Sequence, residues 1–220
     1  MEARQLAILD ALGVDAYVPR SKAPASARAA RIPSEADWDL LAGTVRECRL
    51  CGLCETRTQT VFGTGDRKAR LMVIGEAPGA EEDRQGEPFV GRAGMLLNSM
   101  LRAAGFERDQ VYVANVLKCR PPQNRDPSAE EAERCLPYLR RQIEFVAPAA
   151  ILCVGRIAAQ RLLGTELPLA RLRGRVHQLD GVPVIVTYHP AYLLRSPGEK
   201  RKSWEDLKFT LRVLADGNGT

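Results

Sequence analysis

Cys48, Cys51 and Cys54 recur every three residues in "VRECRLCGLCETRT". Such spacing begins a metal site, but a closed tetrahedral site takes four ligands. The next cysteines are Cys119 and Cys135, on either side of "RPPQNRDPSAEEAER". A C-x2-C pair joined to two distant cysteines closes a four-thiolate site, for zinc or for an iron–sulfur cluster. The compact ferredoxin run is absent, because Glu55, Thr56, Arg57 and Thr58 follow Cys54. Spacing alone leaves two pairs open, Cys48 with Cys51 or Cys51 with Cys54. Cys153 lies inside an apolar run and reads as a buried small hydrophobe.

A second group of candidates is acidic. "GEAPGAEEDRQGEPFVGRAG" crowds Glu76, Glu81, Glu82 and Asp83 into a turn built by glycines and Pro78. A phosphate-binding loop favours lysine or bare backbone amides, so this is no phosphate cradle. Carboxylates there suit water activation or stabilisation of a developing cation. The plainer alternative is an acidic helix N-terminus that favours the macrodipole. His189 in "YHPAYLLR" and Asn115 in "ANVLKCRPPQNRDP" complete the set. An asparagine presents an amide donor and acceptor side by side, matching a base edge that pairs a carbonyl with an N–H. His177, in a polar stretch beside Arg175, has no such context.

These residues need a frame. Four nearly continuous apolar runs, "LMVIG" at 71–75, "VYVANV" at 111–116, "AILCVG" at 150–155 and "VPVIVTYH" at 182–189, read as strands buried on both faces. Helical stretches alternate with them: "GMLLNSMLRAAG", "PSAEEAERCLPYLRRQIEFVAP" with a capping-box start, "RIAAQRLLG" and "KSWEDLKFTLRVLAD". The alternation predicts an α/β fold, a parallel sheet with helices on both faces. Ligand crevices in such sheets lie beyond the carboxyl ends of the strands. Gly75–Phe89, Asn115–Arg125, Gly155 and His189–Arg195 fall there.

The N-terminal part reads differently. Leu6, Leu9 and Leu12 predict a short helix, followed by the Ala-, Ser-, Pro- and Arg-rich linker "VPRSKAPASARAARIP". Residues 1–33 are thus expected to be an appendage to a domain spanning 34–220. "SEADWDLLAGTVRE" opens that domain as a helix capped by Ser34. The chain has 220 residues, enough for one well-buried core, and a net charge of +5, a modest hint of an acidic partner. With neither a signal-peptide core nor an apolar run of membrane-span length, a cytoplasmic protein is expected, its cysteines thiols or metal ligands.

"GEAPGAEEDRQGEPFVGRAG", "NVLKCRPPQNRDP" and "HPAYLLR", with the opening C-x2-C-x-L and "VFGTG", resemble the family 4 uracil-DNA glycosylases, the iron–sulfur type. The resemblance covers about residues 44–215 and leaves residues 1–33 outside. It implies a three-layer α/β/α fold around a central four-stranded parallel sheet. The implied activity is hydrolysis of the bond between uracil and deoxyribose, in single- or double-stranded DNA, by a monomer associated with the nucleoid. Phe89 is expected to stack on the extruded uracil and Asn115 to read its pairing edge, with Gly75 and Ala77 beside them. His189 is expected to hydrogen-bond the uracil carbonyl and Glu76 to position water. Glu82 is expected to orient water or exclude a thymine methyl. The resemblance implies a 4Fe-4S cluster on Cys48, Cys51, Cys119 and Cys135. Leu53 then sits where the family has it, and Cys54 becomes a bystander.

Arg195, Lys200 and Arg201 in "RSPGEKRK" are the expected phosphate contacts, and "YLL" before them a wedge into the duplex. Two readings compete: a non-catalytic nucleic-acid-binding protein on the same fold, and an iron–sulfur electron carrier. The first predicts DNA binding without base release, the second indifference to DNA.

Overall fold

The computed structural model describes residues 34–216; the expected N-terminal helix and linker lie outside that range. The first element among the described residues is helix α1 (Glu35–Glu47), whose start is fixed by a capping box. Ser34 Oγ accepts from the Asp37 N–H at 3.3 Å, and the Asp37 carboxylate accepts from the Ser34 N–H at 2.8 Å. Strands β1 (Thr64–Gly65) and β2 (Leu71–Gly75) lead to helices α2 (Ala80–Gln85) and α3 (Arg92–Ala103). Strand β3 (Tyr112–Asn115), helix α4 (Ala129–Val146), strand β4 (Ala150–Val154) and helices α5 (Arg156–Leu163) and α6 (Leu169–Leu172) follow. A hairpin of β5 (Val176–Leu179) and β6 (Val182–Thr187) leads to α7 (Pro190–Arg195) and α8 (Lys200–Asp216).

The six strands form one sheet in the order β1-β3-β2-β4-β6-β5. Its centre, β3-β2-β4-β6, is parallel throughout, and these are the four apolar runs. Alternation within the runs builds two cores. Met72, Ile74, Ile151, Cys153, Val184 and Val186 face Leu139 and Ile143 of α4 and Ala158 and Leu162 of α5. Leu71, Val73, Leu152, Val154 and Ile185 face Leu97 and Leu101 of α3 and Leu207 and Leu214 of α8. Cys153 is fully buried in the first core, as its run predicted.

The sheet exceeds the expected four strands at both edges. Strand β1 is two residues long and pairs antiparallel with β3; β5 pairs antiparallel with β6. Neither carries the apolar signature, because an edge strand with one open face is not buried on both sides. In β5 only Leu179 is buried. His177, on β5, is paired through Nε2 with the Leu172 carbonyl at 2.8 Å, a structural contact.

Candidate active site and cysteine centre

The carboxyl ends of the central strands deliver the expected residues to one cleft of about 1120 Å³, its open mouth included. Glu76 and Ala77 follow β2, Asn115 ends β3, and His189 follows β6; Glu82, Phe89 and Arg195 complete the wall. Two glycines make the approach possible. A Cβ on Gly75 would lie 2.4 Å from Asn115 Oδ1 and 2.6 Å from the Phe89 ring, so both side chains close over a bare backbone. Gly155, at φ 102°, follows β4, and a Cβ there would press on His189 at 3.1 Å.

His189 caps α7: its Nδ1 accepts from the Ala191 N–H at 3.1 Å. The neutral ring therefore carries its proton on Nε2. Burial, with Arg195 acting in the same direction and Glu82 against it, pushes its pKa down to about 4. At neutral pH the ring is an uncharged donor. Asn115 is 2 % exposed, and its Oδ1 is buried with no hydrogen-bond partner among the described residues. An unpaired buried acceptor costs about 1–3 kcal/mol, and this one belongs to a residue lining the cleft, where a ligand N–H would satisfy it.

The acid-rich turn divides its labour. Asp83 is buried and accepts from the Thr58 N–H at 3.0 Å, tying α2 to the chain beyond the cysteines. Glu81 is paired with Arg84 at the surface. Glu82 Oε1 accepts from the Val90 and Gly91 N–H groups, both at 3.0 Å, and Oε2 from the Gly79 N–H at 3.1 Å. Glu82 borders the cleft as expected, but its carboxylate is spent on backbone, which suits a clamp better than a water-orienting acid. Glu76 remains. Burial first and Asp126 second push its pKa up to about 7, against the pull of Arg156. Asp126 was missed by sequence reasoning; the "NRDP" turn that holds it carries no sign that it faces Glu76.

The basic residues separate. Arg195 lines the cleft, whereas Lys200 and Arg201 lie exposed on the first turn of α8 and are not part of its wall. The "YLL" wedge narrows too. Leu193 is 1 % exposed and belongs to the interior; Tyr192 and Leu194, at 37 % and 38 %, are the exposed members. Tyr192 stacks on Tyr188 at 5.2 Å between ring centroids, and the Arg173 guanidinium lies over Tyr188.

Cys48, Cys51, Cys54, Cys119 and Cys135 line a second pocket with Arg57, Lys118 and Tyr138, sharing no residue with the first. Cys51 immediately precedes a one-turn 3-10 helix, Gly52–Glu55, anchored by the buried Leu53. Arg57 Nη1 donates to Cys119 Sγ at 3.0 Å, and its Nη2 donates to the Cys48 carbonyl at 2.9 Å. The Lys118 N–H donates to Cys135 Sγ at 3.3 Å. Donors aimed at sulfur are what an anionic, thiolate-held group needs around it. Burial pushes the Cys119 and Cys135 thiols up, with Cys51 and Cys48 adding to it at Cys119 and Cys119 and Cys48 at Cys135, while Cys119, Cys48 and Cys54 all bear on Arg57. Among the described residues no three His, Cys, Asp or Glu side chains meet around a single-ion position. The five thiols share the lining of one pocket.

The family profile of the Uracil DNA glycosylase superfamily matches residues 62–208. The chain belongs to that superfamily. Within it, the chain groups with type-4 proteins. It is 46% identical over 172 residues to the Type-4 uracil-DNA glycosylase of Archaeoglobus fulgidus, covering 74% of this chain and 86% of that protein. The Thermotoga maritima protein of the same name is 43% identical over 160 residues, 72% of this chain and 83% of its own. That of Pyrobaculum aerophilum is 42% identical over 179 residues, 78% and 91%.

Proposed function

We propose that this chain is a DNA-repair enzyme that takes uracil out of the DNA stack and hydrolyses its bond to deoxyribose. Free uracil and an abasic site are the products. The observation that carries the reading is the unpaired Asn115 Oδ1, buried between Phe89 and the end of β2 in a cleft that also holds His189. A pyrimidine edge with an N–H beside a carbonyl satisfies both halves of the Asn115 amide at once.

Extruding a base costs a few kcal/mol. Stacking on Phe89 returns about 1–3 kcal/mol. As the bond between C1′ and the base N1 breaks, its electron pair goes to uracil, which becomes an anion. The sugar is left cationic. His189, neutral with its proton on Nε2, donates to the uracil carbonyl where that negative charge gathers. One preorganised donor of this kind supplies on the order of 2.7–4 kcal/mol. Glu76 holds a water against C1′ and takes its proton as the new C–O bond forms. A base with a pKa near the working pH is suited to that task. Glu82 keeps the turn closed around them. Ala77 adds no acid to the turn after Glu76, so the second carboxylate near it is that of Asp126, across the cleft.

Arg195 is the phosphate contact nearest the cleft, with Tyr192 and Leu194 placed to enter the space the base leaves. Lys200 and Arg201 extend the contact to phosphates further along the strand. The fit of the cysteine pocket supports a 4Fe-4S cluster on Cys48, Cys51, Cys119 and Cys135, and when bound it pins the chain before β1 to the loop after β3. A place in the cytoplasm agrees with helices among the described residues that are all too short or too polar to cross a membrane. The test is alkaline cleavage of a uracil-containing oligonucleotide after incubation with the protein: scission at uracil supports the reading, intact strands refute it.

A further inference from the structure

Phe89 adopts φ 57°, a left-handed conformation disfavoured for a bulky L-residue. Such a conformation persists only where its surroundings over-determine it. Glu82 holds one side, through the N–H groups of Val90 and Gly91. Gly94 supports the back, where a Cβ would lie 1.7 Å from the Phe89 carbonyl oxygen. The other side belongs to Arg108, whose Nη2 donates to the Pro88 carbonyl at 2.8 Å. Its Nη1 is buried and unpaired among the described residues, so this guanidinium is committed inward at a cost. Arg108 lies in a short 3-10 turn, Arg108–Gln110, that leads into β3, and β3 ends at Asn115.

We propose that Arg108 is a positioning residue for Phe89. With Glu82 it grips the Pro88–Gly91 segment from both sides and presents the ring to the base. Because Arg108 and Asn115 ride on the same short stretch of chain, one element sets the distance between stacking ring and reading amide. The proposal rests on the reading of the cleft as a uracil site.

The test is a double-mutant cycle on the full chain, crossing Arg108→Met with Phe89→Ala. Two quantities are read: affinity for free uracil by NMR titration, and affinity for an oligonucleotide carrying a tetrahydrofuran abasic analogue. Arg108→Met is expected to weaken uracil binding about tenfold, the loss of one hydrogen bond to a charged group. Abasic-DNA affinity should stay within about twofold, and in the Phe89→Ala background Arg108→Met should add less than about twofold. Unchanged uracil affinity overturns the proposal. So do losses that multiply in the double variant, or abasic-DNA affinity that falls in step. If Arg108→Met does not fold, Arg108→Lys enters the cycle under the same outcomes. A wild type that binds uracil but releases none from DNA defeats the catalytic reading alone, and the clamp is still judged on uracil affinity. A wild type that binds no free uracil overturns the clamp, and the catalytic reading is then judged on uracil release from DNA alone.

Discussion

Phe89 and His189 stand as offset plates, ring centroids 5.7 Å apart and planes inclined by 29°. A base stacked between two rings needs about 3.4 Å on each side, the spacing of bases along a strand. The gap is too narrow for that. In the proposed site a uracil would instead cover a face of Phe89 and meet His189 at its edge, where the Nε2–H would reach a carbonyl in the plane of the base. One ring would supply area and the other a directed donor. His189→Phe, which keeps a ring and loses the donor, is expected to cut single-turnover release by about 10²–10³ with little change in affinity for abasic DNA. A rate near wild type would show that the imidazole acts only by stacking.

The pH profile separates the two titratable groups. Glu76, with its pKa raised to about 7, gains its catalytic form as pH rises. His189, depressed to about 4, keeps its proton on one nitrogen throughout the range above. The single-turnover rate is therefore expected to rise with pH through about 7 and then level off, with no loss from His189 between pH 5 and 8. Glu76→Gln should lower the rate by about 10²–10⁴ and flatten the slope. A slope that survives in Glu76→Gln would assign it to another group.

Asn115 makes a prediction about stability as well as rate. Its unpaired Oδ1 costs the free protein something, and the backbone carbonyl that holds Lys118 Nζ at 2.9 Å does not depend on the side chain. Asn115→Ala should cut kcat/KM by about tenfold to a hundredfold. Its midpoint in urea should match or exceed that of wild type. A large loss of stability would mean that the amide serves the fold.

Gly75 gives the steric counterpart. Gly75→Ala places a methyl against Asn115 Oδ1 and the Phe89 ring. Overpacking of this kind costs about 1–3 kcal/mol. Activity should fall much further than denaturant stability does, and comparison of the two measures tests whether the bare backbone serves the cleft or only the packing.

The cysteine pocket is tested by its visible spectrum and iron content. Cys48→Ser and Cys119→Ser should lose both, and Cys54→Ser should keep them. The reverse result for Cys48 and Cys54 would move the ligand pair three residues along the chain. Zinc in place of iron would replace the cluster with a single ion.

The sequence made the frame and most of the cleft legible, for a physical reason. Strands buried on both faces must be apolar throughout, so all four central strands announced themselves, and their carboxyl ends pointed to Asn115 and His189. Strands β1 and β5 were silent because edges need no such composition. The roles of Glu82, Leu193 and Arg108 were hidden for a different reason. A glutamate near a turn looks the same whether it accepts from water or from the Val90 and Gly91 N–H groups. Leu193 and Leu194 are neighbours in sequence, and only the winding of α7 sends one inward. Arg108 reaches Pro88 across 20 residues of chain, a distance no local pattern records.

The central claim is that this cleft breaks the bond between uracil and deoxyribose in DNA. The direct measurement is free uracil, quantified by mass spectrometry, after incubation of the protein with single-stranded and duplex uracil-containing oligonucleotides. The account predicts uracil released in equal number to abasic sites, at a rate lowered by about 10³-fold or more in the Asn115→Ala, His189→Phe double variant. Firm binding of the same DNA by the wild type with no uracil released would contradict it and leave a binding protein on this fold.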